Sequence, residues 1–222
     1  MNLEVDKQTL ADLALLPNSQ QKQSVFALLG KTQTIGGHEK LAAMFNNPLS
    51  DAETIKERIA VFAYLNANEV DFKIDKNTCD FAEFYLKGYS PDQKSPMLTA
   101  ALNQIVYVFK SKSDRYVIRQ GVLSVFKLLD ELRQFADHLT EEAPELLLAF
   151  KSAITDTYQR NDFEWIKHIR DKTKPTAGEI AKANHLFRNT ARSRIKSLLD
   201  ILYQLDAYLT VSVNSKVRGF TT

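Results

Sequence analysis

Apolar residues recur at steps of three and four along most of this chain, and the longest such run lies near its end. Ile180, Asn184, Phe187, Ala191, Ile195, Leu198, Leu202, Leu205 and Leu209 step by four, three, four, four, three, four, three and four. That spacing holds one helical face toward a neighbour for about 30 residues, or about 45 Å at 1.5 Å per residue. Thr176 and Glu179 form a capping box at its start. A second seam of Ile118, Val122, Val125, Leu129, Leu132, Phe135 (or Ala136) and Leu139 predicts another long helix, opened by Asp114. Between the two, Thr140 with Glu141, Glu142 and Pro144 reads as a helix start, followed by Leu147, Phe150, Ile154 and Tyr158. Asn161 with Glu164 restarts a helix holding Trp165 and Ile169, and Asp171 to Pro175 is a polar, basic loop.

The first half of the chain has shorter periodic runs with sharper punctuation. Asp6 caps a helix holding Leu10, Leu13 and Leu16, which Pro17 ends. Ser24 to Leu29 reads as a buried helical segment, with Gly30 ending it in the left-handed conformation. The hydroxyls of Thr32 and Thr34 satisfy backbone groups in a turn. Gly36 and Gly37 lead into a helix on which Leu41, Met44 and Phe45 share a face, and Pro48 stops it. Ser50 and Glu53 form a capping box for a third helix that buries Ile55, Ile59, Phe62 and Leu65. A helix from Asp75 carries Phe81, Phe84, Tyr85 and Leu86 and ends near Gly88, and Leu98, Leu102, Ile105 and Phe109 form one more stripe. The expected fold class is all-α.

Composition agrees: seven Gly and six Pro in 222 residues, with 44% hydrophobic content, suit a globular helical chain. The net charge of +2 gives no overall electrostatic case for nucleic acid, but it is unevenly spread. Residues 160–222 hold 12 basic and 6 acidic side chains, a local balance of +6. Seven of those cations form one candidate surface: Lys167, Arg170, Lys172, Lys174, Arg188, Arg192 and Lys196. Arg188, Arg192 and Lys196 are four apart and share a helical face. The functional reading is contact with DNA phosphates. The plainer reading is a solvated flank whose acidic partners lie on a neighbouring helix.

Catalytic and metal chemistry find little support. A single cysteine, Cys79, excludes an internal disulfide and reads as a small buried apolar residue. His38, His138, His168 and His185 are dispersed, with no helical i, i+4 pair for a metal. Glu141 and Glu142 near Asp137 complement a helix N-terminus. There is no Gly-x-Ser-x-Gly string and no phosphate-binding Gly-x-x-x-x-Gly-Lys-Ser/Thr loop. The expectation is no enzyme activity, no cofactor and no metal in this chain. No apolar run reaches the roughly 20 residues that span a bilayer, and no signal-peptide pattern opens the chain, so a soluble cytoplasmic protein is expected.

One stretch carries a resemblance. Ser24-Val25-Phe26-Ala27-Leu28-Leu29, Lys31-Thr32-Gln33-Thr34-Ile35-Gly36-Gly37, Pro48-Leu49-Ser50-Asp51 and Ile55-Lys56-Glu57-Arg58 resemble, in order and spacing, the start of the core (lever) domain of the MutS family of DNA mismatch-repair proteins. Leu129-Asp130-Glu131-Leu132-Arg133 is similar to a string midway through that core. Leu205-Asp206-Ala207-Tyr208-Leu209 resembles the segment before the family's ATPase domain. Glu39 and Met44 depart from the pattern, where the family has a basic residue and a Trp. Phe81-Ala82-Glu83 matches the letters of the family's mismatch-reading motif in the wrong place and reads as core helix. The resemblance implies a compact helical hub over residues 1–92, long antiparallel lever helices over 93–215, and an extended link over 216–222 into an ATPase domain absent from this chain. It marks Lys31, Thr32, Thr34, Gly37, Pro48, Asp51, Arg58 and Asp206 as signature residues. It implies that the parent protein binds ATP and Mg, is a homodimer and contacts double-stranded DNA, and that this part couples the ATPase of the same polypeptide to a DNA- or partner-facing end. No alternating strand pair suggests the family's β-rich DNA clamp. The other readings are a self-contained helical interaction module, or a helical DNA-binding module using the basic last quarter.

Overall fold

Helix caps decide where the elements begin: Ser24, Asp75 and the Thr176–Glu179 box cap as the spacing suggests, while several other starts differ by a residue or more. The computed structural model describes residues 15, 24–29, 31–68, 70, 72–73, 75–88, 111–160, 163, 165–166, 169 and 174–219. Among these are eight α-helices, one π turn and no β-strand, as the all-α reading requires. The helices are α1 (Val25–Leu28), α2 (Ile35–Asn46), α3 (Ala52–Asn68), α4 (Lys76–Lys87), α5 (Lys112–His138), α6 (Glu145–Tyr158), α7 (Ala177–His185) and α8 (Arg192–Arg218), with the π turn at Leu186–Thr190. The Asp6-capped helix, Gly30, the stripe from Leu98 to Phe109, and Lys167, Arg170 and Lys172 lie outside the described residues.

Several expectations are corrected. α1 is a single turn in which only Phe26 is buried, because Val25 and Leu28 point to solvent. α3 is capped by Asp51 rather than Ser50. The helix starts one residue later than a Ser50–Glu53 box requires, so the Asp51 Oδ2 accepts from the Thr54 N–H at 2.8 Å and the Thr54 hydroxyl at 2.7 Å. Its buried face is Val61 and Leu65, while Ile55 and Ile59 face water. On α4 the core side is Cys79, Ala82, Tyr85 and Leu86, and Phe84 is exposed. α5 starts at Lys112, where Ser111 Oγ accepts from the Asp114 N–H at 3.0 Å. α6 starts at Glu145, after Pro144, and not at Thr140. Val217 and Arg218, expected in an extended link, are helical, and the chain turns at Gly219 with φ 68°.

The last seam is interrupted as well. α7 and α8 are separated by the π turn, closed by the Ala191 N–H on the Leu186 carbonyl at 2.8 Å. Asn189 Nδ2 donates to the His185 carbonyl at 3.0 Å, a side-chain bond to the acceptor that an α-helix would give to the Asn189 backbone. The seam residues on both sides, Ile180, Phe187, Ala191, Ile195, Leu198, Leu202 and Leu205, are still buried.

The chain groups into two compact units, each drawn from separated stretches. The first takes residues 1–74, 135–152 and 200–222, and the second 75–134 and 153–199. α5, α6 and α8 contribute residues to both. In the first unit Phe26, Leu41 and Ala207 form a core that Ala42, Met44, Phe45 and Val211 cover. Met44, at the family's Trp position, thus keeps an apolar place. Glu57 of α3 reaches the start of α6, its Oε1 accepting from the Leu146 N–H at 2.7 Å. In the second unit the α5 seam from Ile118 to Leu132 is buried. Phe126 and Phe187 meet edge-on at 5.3 Å between centroids.

Candidate functional site

Thr34 stands where α2 begins, and its hydroxyl accepts from the Gly37 N–H at 2.9 Å, the N-cap bond. The same hydroxyl donates to Asp206 Oδ2 at 2.7 Å. The Thr34 N–H donates to Oδ2 at 2.8 Å and the Gln33 N–H to Oδ1 at 3.0 Å. Asp206 sits on α8 and is 2% exposed. A carboxylate so buried would be costly if bare. Here three donors and the positive end of α2 surround it. Thr32 Oγ1 donates to the Thr34 carbonyl at 3.0 Å and fixes the loop just before the cap.

Two glycines let α2 come this close. They are not in the connection, as the spacing suggested, but in the first turn of α2. A Cβ on Gly37 would overlap the Asp206 carboxylate, and one on Gly36 would overlap the Tyr203 ring. Phe26 packs edge-on against His38 at 5.1 Å and Phe45 at 5.5 Å, closing the apolar side. Lys40 pairs with Asp200 at 2.6 Å on the exposed side.

The structure therefore brings together Thr32, Thr34, Gly37 and Asp206 from the signature set. Lys31 has an exposed side chain next to them in sequence. Pro48, Asp51 and Arg58 belong to the α2–α3 connection and to α3. The two Thr54 hydrogen bonds hold the Asp51 carboxyl below the usual range. Tyr203 was not singled out by sequence, and Gly36 was read only as part of the lead-in to α2. A lone carboxylate in the apolar run Leu205 to Leu209 was the available signal for a buried polar partner.

A second buried polar group lies in the other unit. Tyr85 is fully buried against Gly121, where a Cβ would overlap its ring, and its hydroxyl donates to Asn184 Oδ1 at 2.8 Å. Burial pushes the Tyr85 hydroxyl well above its ordinary pKa. The Arg188 guanidinium lies 4.2 Å from the centre of that ring, and its Nη2 donates to the Tyr85 carbonyl at 2.8 Å. Arg192 Nη2 donates to the Leu86 carbonyl at 3.3 Å. Two of the seven candidate phosphate contacts thus satisfy the last carbonyls of α4. Lys174 and Lys196 are exposed. At the other end of α4, Asp75 accepts from Thr78 and pairs with Lys127 at 3.1 Å, which holds its carboxyl low.

A protein-family description, MutS domain III, matches residues 2–212. The chain belongs to the MutS domain III family. The match covers nearly all of the chain and includes both halves of the Thr34–Asp206 junction. No curated protein and no solved structure matches this MutS domain III chain. Among the described residues no group of three or more His, Cys, Asp or Glu side chains is placed to hold a metal, and no helix is long and apolar enough to cross a membrane.

Proposed function

We propose that this MutS-like core domain is a mechanical part, coupling an ATPase domain of the same polypeptide to a DNA- or partner-facing end. The observation that supports this most directly is the buried junction of Asp206 with Gln33 and with Thr34, the N-cap of α2, which ties α2 to α8. A helix that passes on a change of position needs fixed attachments, and a buried, fully bonded carboxylate is one. ATP and Mg would be bound by the ATPase domain, and a homodimer is part of the same reading. The test uses the polypeptide that carries this chain with its ATPase domain. Asp206→Asn should leave basal ATP hydrolysis in place and reduce its stimulation by double-stranded DNA about tenfold. Full stimulation in a folded Asp206→Asn protein overturns the coupling.

DNA contact by the basic last quarter is a separate reading; of its seven cations, Lys167, Arg170 and Lys172 lie outside the described residues, and among the described ones Lys174 and Lys196 are exposed. Reversing Arg188 and Arg192 would be a poor test, because both hold main-chain carbonyls of α4. Lys174→Glu with Lys196→Glu is cleaner. Filter binding at low salt should weaken several-fold in that variant, with a shallower salt dependence. Unchanged binding would rule these lysines out.

A further inference from the structure

The start of α5 sets cations around an exposed aromatic ring. Lys112, Arg115, Tyr116 and Arg119 follow one another at steps of three, one and three, which gathers them into about 100° of the helix surface. Tyr116 is 62% exposed, because it points away from the buried seam of Ile118, Val122 and Val125. Lys112 is exposed, and Arg115 and Arg119 are half-buried on the side nearer that seam. Arg119 Nη1 donates to the Pro175 carbonyl at 3.3 Å, so the exposed Lys174 stands next to the residue that meets the stripe. That bond takes one guanidinium N–H and leaves the charge in place. All of these residues belong to the second unit.

Among the described residues, the acids nearest in sequence to these cations are engaged. Asp114 lies on the other side of α5 from Tyr116 and accepts from the Ser111 hydroxyl at 2.8 Å. Glu179 of α7 accepts from the Thr176 N–H at 2.7 Å and the Thr176 hydroxyl at 3.0 Å. From Arg115 to Lys127 α5 has no acidic residue. We infer that this stripe binds single-stranded nucleic acid, with Lys112, Arg119 and Lys174 on phosphates and the Tyr116 ring stacked on a base. Cations interleaved with an aromatic ring are what such a strand needs, and stacking needs an unpaired base, because a duplex covers the faces of its own bases. An acidic peptide would satisfy the cations and leave the ring in water. Lys174 also figures in the duplex-DNA reading, but Lys112 and Tyr116 do not, and coupling to an ATPase plays no part here.

The test titrates a labelled oligothymidylate with the full chain at low salt and reads fluorescence anisotropy. The single strand should bind about tenfold more tightly than a duplex of the same length, and added salt should weaken it. Lys112→Glu with Lys174→Glu should weaken binding about tenfold. Tyr116→Ala should weaken it about fivefold or more, and Tyr116→Phe, which keeps the ring, should bind as the parent does. Lys196→Glu should change it little. Circular dichroism checks that each variant is folded. The inference fails if the strand does not bind, if the duplex binds as well, or if Tyr116→Ala or the double charge reversal binds like the parent. It also fails if Lys196→Glu weakens binding as much as the double reversal, or if a polyglutamate peptide competes as well as unlabelled oligothymidylate.

Discussion

At the scale of single residues, Asp206 is the side chain with the largest expected effect. Removing it leaves the Gln33 and Thr34 N–H groups without their acceptor in a buried place, so Asp206→Ala should cost about 3 kcal/mol. Asp206→Asn keeps one oxygen but turns an NH2 toward a donor, and should cost about 2 kcal/mol. Urea unfolding with an unchanged slope measures both. Gly37→Ala gains helix propensity but meets the Asp206 carboxylate, and overpacking by about 1–3 kcal/mol outweighs the gain of up to about 1 kcal/mol. Tyr85 makes a prediction of another kind. Its folded pKa is raised, while the unfolded chain ionises near 10. Stability from this group is therefore complete below pH about 10 and falls above it, where the unfolded state releases a proton that the folded state keeps. Tyr85→Phe should cost about 1 kcal/mol at neutral pH and lose that alkaline slope, read from melts between pH 9 and 11.

At the scale of elements, α4 depends on a neighbour for its end. Gly88 supplies no left-handed cap there, having φ −68°, and Arg188 and Arg192 supply donors instead. Arg188→Ala should raise amide exchange in the last turn of α4 and cost about 1–3 kcal/mol, since both a carbonyl bond and a ring contact go. Exchange unchanged over Phe84 to Gly88 would contradict this role. The long seams were readable in the sequence because burial on α5 and α8 repeats with the helix itself. The π turn was not. From Ile180 to Leu209 is 29 residues, and eight turns of unbroken α-helix take about 28.8, so the spacing fits either form. The Thr176–Glu179 box and the Asp75 cap were legible, but the cap of α3 was hidden, since Ser50 and Asp51 are both good caps and only the helix start chooses between them.

At the scale of the whole molecule, the MutS domain III assignment was legible in the first sixty residues, from the fixed spacing of Lys31, Thr34, Gly37, Pro48 and Arg58. The reason for that spacing was not, because half of it is Asp206. Sequence distance conceals such a partner, just as it conceals a unit assembled from three stretches. The same concealment limited the basic cluster: four-residue spacing places Arg188 and Arg192 on one face but does not reveal that the α4 carbonyls take them. A chain ending at residue 199 should lack a stable first unit, and limited proteolysis should cut α2 and α3 far faster than in the full chain. The Thr34–Asp206 bond also imposes a schedule on synthesis. Its partners are 172 residues apart, and at the usual pace of translation roughly 10–35 s pass between them. Until Asp206 leaves the ribosome, α2 has a start without its anchor, so the growing chain must stay soluble with that hub unlatched.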